Sequence, residues 1–463
     1  MLSTPYSLLN PVIFRAYDIR GIAGNTLTDE TVFLIGKAIG SLVQEQGGRA
    51  MYIARDGRLS GLPFSQALAK GVLSTGCDVI HLGMVPTPLL YYATQVFGGQ
   101  SGVMLTGSHN PAEYNGLKIT IQGVALTEEG IQSLYHRIVR RQFLQGQGKE
   151  SEFNIISRYQ HDVLQNIQLQ RPLKIIIDAG SGVAGMIAPS LYRQLGCEVH
   201  ELYCEIDGRF PFHHADPSDP KNLQDLIAAV CEQHADIGLA FDGDGDRLGI
   251  VAAGGDIIWP DRLLMLFAQA VLVQHPEAKI IYDVKCTHHL DSVIRALGGD
   301  PVMWKTGHSF IKRKMIETGA VLAGEMSGHF FFKDRWYGFD DALYAGGRLL
   351  EILSQQSSSS EVVFNAIPNS INTPELKVAV SEEDKFSLMQ LLMDQAHFLD
   401  ASIFAIDGLR VNFAEGWGLV RPSNTTPCLV MRFEAANEAI LHNIQSLFRE
   451  WMLSVKPDLV LPF

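Results

Sequence analysis

Short apolar runs that end in aspartate recur along the chain. Met51-Tyr52-Ile53-Ala54 leads into Arg55-Asp56, Lys174-Ile175-Ile176-Ile177 into Asp178, and Lys279-Ile280-Ile281-Tyr282 into Asp283. Each is followed by a second strand opened by glycine: Gly76 to Leu82, Gly196 to Leu202, and Gly298 to Trp304. Between the two strands, apolar residues at spacings of three and four predict helices over Phe64 to Leu73, Ile187 to Leu195 and Leu290 to Leu297. Strand, helix, strand at this spacing is a βαβ unit. Three such units in register predict three homologous α/β domains with mixed sheets. After the polar tract Gln355 to Ser360, expected as a surface loop, Pro368 and Pro374 bracket a hinge and the pattern changes. A strand over Lys377 to Val380, a helix over Lys385 to Leu399, further strands and a helix over Asn437 to Trp451 predict a C-terminal α+β domain. The expected boundaries are 1–153, 154–256, 257–367 and 368–463.

Each repeat runs on to another strand that delivers a polar, glycine-containing loop. Val103-Met104-Leu105 leads into Thr106-Gly107-Ser108-His109-Asn110-Pro111, Asp236 to Phe241 into Asp242-Gly243-Asp244-Gly245-Asp246-Arg247, and Ala320 to Ala323 into Gly324-Glu325-Met326-Ser327-Gly328-His329. The last domain carries Arg421-Pro422-Ser423-Asn424-Thr425-Thr426-Pro427. Ligands of α/β sheets gather beyond strand ends, so these loops are expected around one central cleft.

Composition narrows the field. The chain has 463 residues, enough for three or four domains, with 46% hydrophobic and 19% charged residues and a net charge of −13. That charge disfavours nucleic acid and anionic membrane as partners. The N-terminus lacks a basic and apolar leader, and the apolar stretch Leu263 to Val273 is too short to span a bilayer. Six scattered cysteines, without a C-x-x-C pair, read as reduced thiols of a cytoplasmic protein.

Three aspartates alternating with glycines in a turn place carboxylates around one point, which suits a hard divalent cation. A calcium-binding EF-hand loop would need glycine sixth and glutamate twelfth, where this chain has Arg247 and Ala253. Ser108 at a strand-end tip, beside His109, can act as a nucleophile. Glu325, Ser327 and His329 suit sugar hydroxyls, and Arg421 to Pro427 has the guanidinium, hydroxyls and amide of a phosphate cradle. A rival signal is Gly180-Ser181-Gly182-Val183-Ala184-Gly185, which follows a strand and satisfies much of the dinucleotide fingerprint of an NAD-dependent oxidoreductase, with Glu201 ending the next strand. The other two repeats lack the glycines there, and that reading leaves Ser108 and the three aspartates unexplained.

The four loops, in this order and over nearly the full length, resemble the signature loops of the α-D-phosphohexomutase superfamily. Phe14-Arg15-Ala16-Tyr17-Asp18-Ile19-Arg20-Gly21 and Gly416-Trp417-Gly418 bring the chain nearest the bacterial phosphomannomutase/phosphoglucomutase branch. Met326 separates it from the alternative glucosamine-phosphate branch, where glutamine is usual, and Pro422 stands where a small residue is expected. The resemblance implies reversible transfer of a phosphoryl group between the 1- and 6-positions of glucose and mannose phosphates. Ser108 would be a phosphoserine, and Mg²⁺ would be held by Asp242, Asp244, Asp246 and a phosphoryl oxygen on Ser108. A hexose 1,6-bisphosphate would serve as activator and as an intermediate that reorients in the cleft. The resemblance also implies Lys118 and His329 as acid and base, with Arg20 and His109 supporting charge. Tyr17, Arg20, Arg247, Lys285, His308, Glu325, Ser327, His329, Arg421, Ser423, Asn424 and Thr425 are expected to bind substrate. Hexose phosphates are the expected partners of a cytoplasmic monomer.

Overall fold

The computed structural model describes residues 9–98, 100–381, 383–423 and 426–463. The chain divides into two compact units: Met1–Pro260 with His308–Ala323 and Ser327–Ala366, and Asp261–Gly307 with Gly324–Met326 and Ile367–Phe463. Four sheets form among the described residues.

In the first unit, Ala50–Arg55 pairs in parallel with Asp78–Met84 and with Ser101–Leu105. Parallel neighbours need a crossover, and the helices Gly61–Leu73 and Thr87–Val96 supply it. The sheet then reverses. Tyr114–Ile121 runs antiparallel to Ser101–Leu105, with Lys118 opposite Met104, and Ile19–Ile22 lies antiparallel beside it, with Arg20 opposite Gly116. Lys118 and Arg20 therefore stand on adjacent strands, and Ser108 on the loop that leaves the next strand of the same sheet.

The second sheet repeats the plan. Lys174–Asp178 is parallel to Glu198–Leu202 and to Ile237–Phe241, and Leu248–Ala252 folds back antiparallel with Phe241 opposite Leu248. Asp242 to Arg247 is thus the tip of a hairpin, as Thr106 to Glu113 is in the first repeat. Both hairpins have buried strands: Ser101–Leu105, Ile237–Phe241 and Leu248–Ala252 are buried throughout. In the second unit, Lys279–Asp283 and Asp300–Trp304 form the equivalent parallel pair. The C-terminal segment forms an antiparallel sheet in which Cys428–Ala435 lies between Gly416–Pro422 and the strands Ile371–Asn372 and Leu376–Ala379. The mixed α/β repeats and the final α+β element match the pattern of the sequence.

Three local expectations need correction. The helix expected to reach Leu399 stops at Asp394, because Phe398 leaves the helical path to pack on Phe448 and Trp451 with ring centroids 5.2 and 5.3 Å away. The last helix runs on to Val455, capped at its start by the Asn437 side chain. Ser360 is not surface loop: it is buried at the head of a short helix, Ser360–Asn365, and its hydroxyl donates to the Asp236 carbonyl at 2.5 Å.

The helix Ala342–Ser354 is capped by Asp341, whose carboxylate accepts from the Tyr344 amide at 3.0 Å, the Tyr159 hydroxyl at 2.9 Å and Trp336 Nε1 at 3.1 Å. Burial pushes this carboxyl from its ordinary 3.8 up to about 7. The folded protein therefore holds the proton more tightly than the unfolded chain does. The stability linked to that proton is fullest below about pH 4 and is lost as pH rises through 7. Asp341→Asn cannot ionise, so the wild-type thermal midpoint should fall relative to the variant's between pH 4 and 7. Parallel melting profiles across that window would refute the assignment.

Candidate active site

Ser108 sits in a left-handed backbone conformation, φ +50°, which a non-glycine residue adopts only when its surroundings enforce it. The enforcement comes from Arg58. Its guanidinium donates to the carbonyls of Ser108 and Asn110, both at 2.7 Å, of Pro111 at 2.5 Å and of Tyr114 at 2.9 Å. Its Nε donates to Asp56 Oδ2 at 3.1 Å. Asp56 also accepts from Thr106 Oγ1 at 2.8 Å and from the Gly107 amide at 3.3 Å, while the Ser108 amide donates to Thr106 Oγ1 at 2.7 Å. A Cβ on Gly107 would come within 2.5 Å of the guanidinium carbon, so the loop requires glycine there. Neither Asp56 nor Arg58 stood out in the sequence. The only signal was three charged residues, at 55, 56 and 58, where an apolar strand passes into a helix.

So held, Ser108 Oγ donates to Asp242 Oδ2 at 2.8 Å and lies 3.2 Å from His109 Nδ1. Asp242, Asp244 and Asp246 are fully buried, and one oxygen of each falls within a 4.8 Å cluster. Lys118 Nζ donates to Asp244 at 2.7 Å and also to Asp246. The Thr87 hydroxyl adds a bond to Asp244 at 2.5 Å. Oδ1 of Asp244 and of Asp246 is buried without a hydrogen-bond partner among the described residues. Burial, and then the charges of Asp244 and Asp246, push the Asp242 carboxyl well above its ordinary value. Three buried carboxyl groups share one ammonium, and one oxygen of each lies within the same 4.8 Å cluster. A hard divalent cation fits this donor set.

Burial alone would lower the Lys118 pKa, but the charges of Asp244 and Asp246 outweigh it and hold the ammonium above the ordinary lysine range. Desolvation, with Arg247 and Arg20 close by, pulls His109 well below the ordinary histidine value, so its imidazole is neutral near pH 7. Arg20 donates to Asn110 Oδ1 at 2.5 Å and to Asp18 at 2.6 Å. Arg247 Nε donates to His329 Nε2 at 3.1 Å and lies 4.0 Å from Asp242. His329 Nδ1 lies 3.6 Å from Asp246 Oδ1, its ring stacks on His308 with centroids 5.4 Å apart, and Tyr17 packs edge-on to His308. The first unit thus gathers Tyr17, Arg20, Ser108, His109, Lys118, the three aspartates, Arg247, His308 and His329 into one contact network. Ser327 is half-buried in the same unit.

The second unit holds the other expected residues. Lys285 Nζ donates to Glu375 at 2.9 Å, and Arg421 Nε to Asp407 at 3.0 Å. Glu325 is buried and accepts from the Gly307 amide at 2.5 Å. The Ser423 hydroxyl lies 2.8 Å from Thr426 Oγ1 and accepts from the Thr426 amide. Asn424 and Thr425 lie outside the described residues. Sequence reading passed over Asp407 and Glu375, isolated acids with no motif around them.

The glycine-rich turn at 180–185 is not a dinucleotide cradle. Its amides are spent internally: Ser181 donates to the Tyr203 carbonyl, Gly182 to Ala179, Val183 to Gly243 and Gly185 to Gly182. The segment Val183–Met186 is a 3₁₀ turn, and Gly182 lets it approach the acidic hairpin, where a Cβ would meet the Gly243 carbonyl at 2.8 Å.

A strained serine hydroxyl facing a buried three-carboxylate hairpin, on mixed α/β repeats, suits phosphoryl transfer, and comparison with known proteins places the chain. The family descriptions "Phosphoglucomutase/phosphomannomutase, alpha/beta/alpha domain" I, II and III match residues 11–145, 157–255 and 259–370, and the C-terminal domain of that family matches 375–450. The chain belongs to the phosphoglucomutase/phosphomannomutase family. It is 54% identical over 451 residues to a phosphomannomutase/phosphoglucomutase of Pseudomonas aeruginosa, covering 97% of each chain. It is 51% identical over 454 residues to a phosphoglucomutase of Neisseria gonorrhoeae, covering 97% of this chain and 98% of that one. A crystal structure of a family protein from Burkholderia thailandensis superposes with a TM-score of 0.94 at 50% identity, over 98% of this chain and all of that one.

Arg58→Lys keeps the charge but cannot reach four carbonyls and Asp56 at once. Amide hydrogen exchange across Gly107 to Tyr114 should quicken at least tenfold, with exchange in the C-terminal sheet unchanged. Unaltered exchange in the loop would show that the guanidinium is not what holds it.

Proposed function

We propose that this chain interconverts hexose 1-phosphates and hexose 6-phosphates of glucose and mannose by way of a phosphoserine at Ser108. The observation that carries the reading is the Ser108 hydroxyl, held in a left-handed turn and donating to Asp242 of a buried three-carboxylate hairpin. Phosphoserine would pass its phosphoryl group to the free hydroxyl of a hexose phosphate. The resulting 1,6-bisphosphate would turn over and return its other phosphoryl group to Ser108, so that added bisphosphate acts as activator. Asp242, Asp244, Asp246 and a phosphoryl oxygen on Ser108 would hold Mg²⁺, which supplies cationic charge to the transferring group.

The chain's own groups do the rest. Arg58 fixes the direction of Ser108. Lys118, kept protonated by its two aspartates, is suited to steadying charge and not to accepting a proton. His329 has Nε2 turned toward Arg247, which sets the face it offers to a sugar hydroxyl. Arg20, with Asn110 and Asp18 steadying its fork, and His109 line the serine loop. No helix among the described residues is long and apolar enough to cross a membrane. The four family domains of the sequence reading, at 1–153, 154–256, 257–367 and 368–463, remain our proposed division.

The test is a coupled assay of glucose 1-phosphate and mannose 1-phosphate with Mg²⁺ and a trace of hexose 1,6-bisphosphate. Wild type should turn over both sugars and carry phosphate on the Ser108 peptide, and Ser108→Ala should be inactive. Full activity in Ser108→Ala, or phosphate mapped stably elsewhere, would overturn the proposal.

One nucleophile serving both ends of a hexose needs a fixed holder for whichever phosphate is not reacting. Arg421 and Ser423 are proposed for that task, together with Lys285, Glu325 and Ser327 for the sugar. Arg421→Ala should weaken 1-phosphate and 6-phosphate substrates alike, by roughly 2–4 kcal/mol in kcat/KM, as for a lost charge-assisted clamp. A loss confined to one substrate would contradict a shared anchor.

A further inference from the structure

Beside the residues already assigned lies a second buried ion pair. Lys312 Nζ donates to Asp340 Oδ1 at 2.6 Å and sits 3.8 Å over the Tyr91 ring. Asp340 is fully buried, and Lys312 is buried with it. Asp340 Oδ2 lies 3.2 Å from His329 Nδ1 and 3.4 Å from His308 Nδ1. The backbone at Asp340 is fixed by an antiparallel bridge to Phe331, and Lys312 stands four residues after His308 on the helix His308–Thr318, on the same face. The same ammonium approaches His308 Nδ1 at 3.2 Å.

These contacts restrict where each imidazole can carry its proton. An ammonium only donates, and although burial lowers Lys312 from the ordinary lysine value, the Asp340 carboxylate bonded to it opposes that shift. His308 Nδ1 facing Lys312 Nζ must then accept, which leaves the proton on Nε2. Burial, and then the Lys312 charge, pull His308 well below the ordinary histidine value, so the ring is neutral near pH 7 and has a definite tautomer. Nε2 of His308 is buried with no partner among the described residues, although the residue is only 5% exposed. A buried N–H without an acceptor is uncommon in folded proteins unless a ligand supplies one. His329 is the mirror case. Its Nε2 accepts from Arg247, so its proton sits on Nδ1, facing Asp340.

We propose that Lys312 and Asp340 are positioning residues that set opposite tautomers in the stacked pair His308 and His329, fixing His308 as an Nε2–H donor to a substrate oxygen. Lys312 does so by occupying Nδ1 of His308, and Asp340 by anchoring Lys312 and receiving the His329 proton side. The donor's target, a hydroxyl or phosphoryl oxygen of a hexose phosphate, rests on the function proposed above.

The test reads the tautomer itself, by long-range ¹H–¹⁵N correlation spectra of histidine-labelled full-length protein with Mg²⁺ at neutral pH and without substrate, His308→Asn providing the assignment. Wild type should show His308 protonated at Nε2 and bare at Nδ1. Lys312→Met alone strands Asp340, so the companion variant is the double substitution Lys312→Met with Asp340→Asn, which keeps the charge balance. In it His308 should become a mixture of tautomers, and KM for the hexose phosphate should rise about tenfold, the size of one lost hydrogen bond. A wild-type His308 carrying its proton on Nδ1 toward Asp340, an unchanged tautomer in the double variant, or an unmoved KM would each overturn the proposal. Because the spectra need no turnover, they stand or fall separately from the mutase reading.

Discussion

The serine loop depends on one cation placed under it. Four carbonyl oxygens, those of Ser108, Asn110, Pro111 and Tyr114, point at the Arg58 guanidinium. Four carbonyls turned toward one spot repel each other unless a cation stands between them, so the loop cannot keep this curvature without Arg58. A planar fork with five donors meets that need where a lysine's ammonium would not. The buried fork is in turn neutralised by Asp56, and Asp56 spends its remaining lone pairs on Thr106 and Gly107, the first two residues of the same loop. The strained φ of Ser108, which costs on the order of 1–3 kcal/mol, is thereby distributed over a closed set of bonds. The Phe210 ring covers the guanidinium at 5.0 Å and extends the support to the second repeat.

From that clamp outward the first unit chains buried polar and charged groups. Asp56 and Arg58 are followed by Ser108 on Asp242, Lys118 between Asp244 and Asp246, Arg247 against His329, and Lys312 against Asp340. Buried pairs of this kind contribute little net stability, because desolvation offsets most of the attraction. Their use is geometric. Each charge has one low-energy position, set by its partner, so groups on different strands and helices keep fixed distances. The acidic hairpin departs from this pairing, with three carboxyl groups beside one ammonium, and that clustering is what marks it as a candidate cation site.

Much of this was legible because it is local. The βαβ periodicity, the apolar strands that deliver the loops, and the alternating aspartates are each contained in a few consecutive residues. Ser108 and the three aspartates could be singled out because a hydroxyl or clustered carboxylates in a glycine-rich loop behind a buried strand contribute nothing to a core. Arg58, Asp340, Asp407 and Glu375 could not, because their meaning lies in partners the fold brings near, 50 residues away for Arg58 and Ser108, 90 for Glu375 and Lys285 and 14 for Asp407 and Arg421, or in a turn of the fold, as with Asp340 bridging to Phe331. The glycine-rich turn at 180–185 misleads for the converse reason: its pattern is local, but whether its amides are free is decided by Tyr203 and Gly243. The early end of the helix at Asp394 follows the same logic, since packing of Phe398 on Phe448 overrides the helical spacing of its own segment.

The second unit applies the pairing rule to the two cations proposed to bind substrate. Arg421 rests against Asp407, which also accepts from the Thr306 amide at 3.0 Å, and Lys285 rests against Glu375. A carboxylate beside a phosphate-binding cation weakens its attraction for the ligand, so these acids would be a disadvantage if affinity alone mattered. Yet Arg and Lys side chains lose up to ~2 kcal/mol of rotamer entropy when immobilised, and a partner that holds them in place beforehand removes that cost from the binding step. Lys285 and Arg421 together pull Glu375 below its ordinary value, so the acid stays ionised and the arrangement persists across neutral pH. For the proposed mutase, which would release and recapture one doubly phosphorylated sugar, a clamp of moderate strength and fixed geometry is better suited than a tight one. Overly tight binding of the intermediate would slow the reorientation on which each turnover depends.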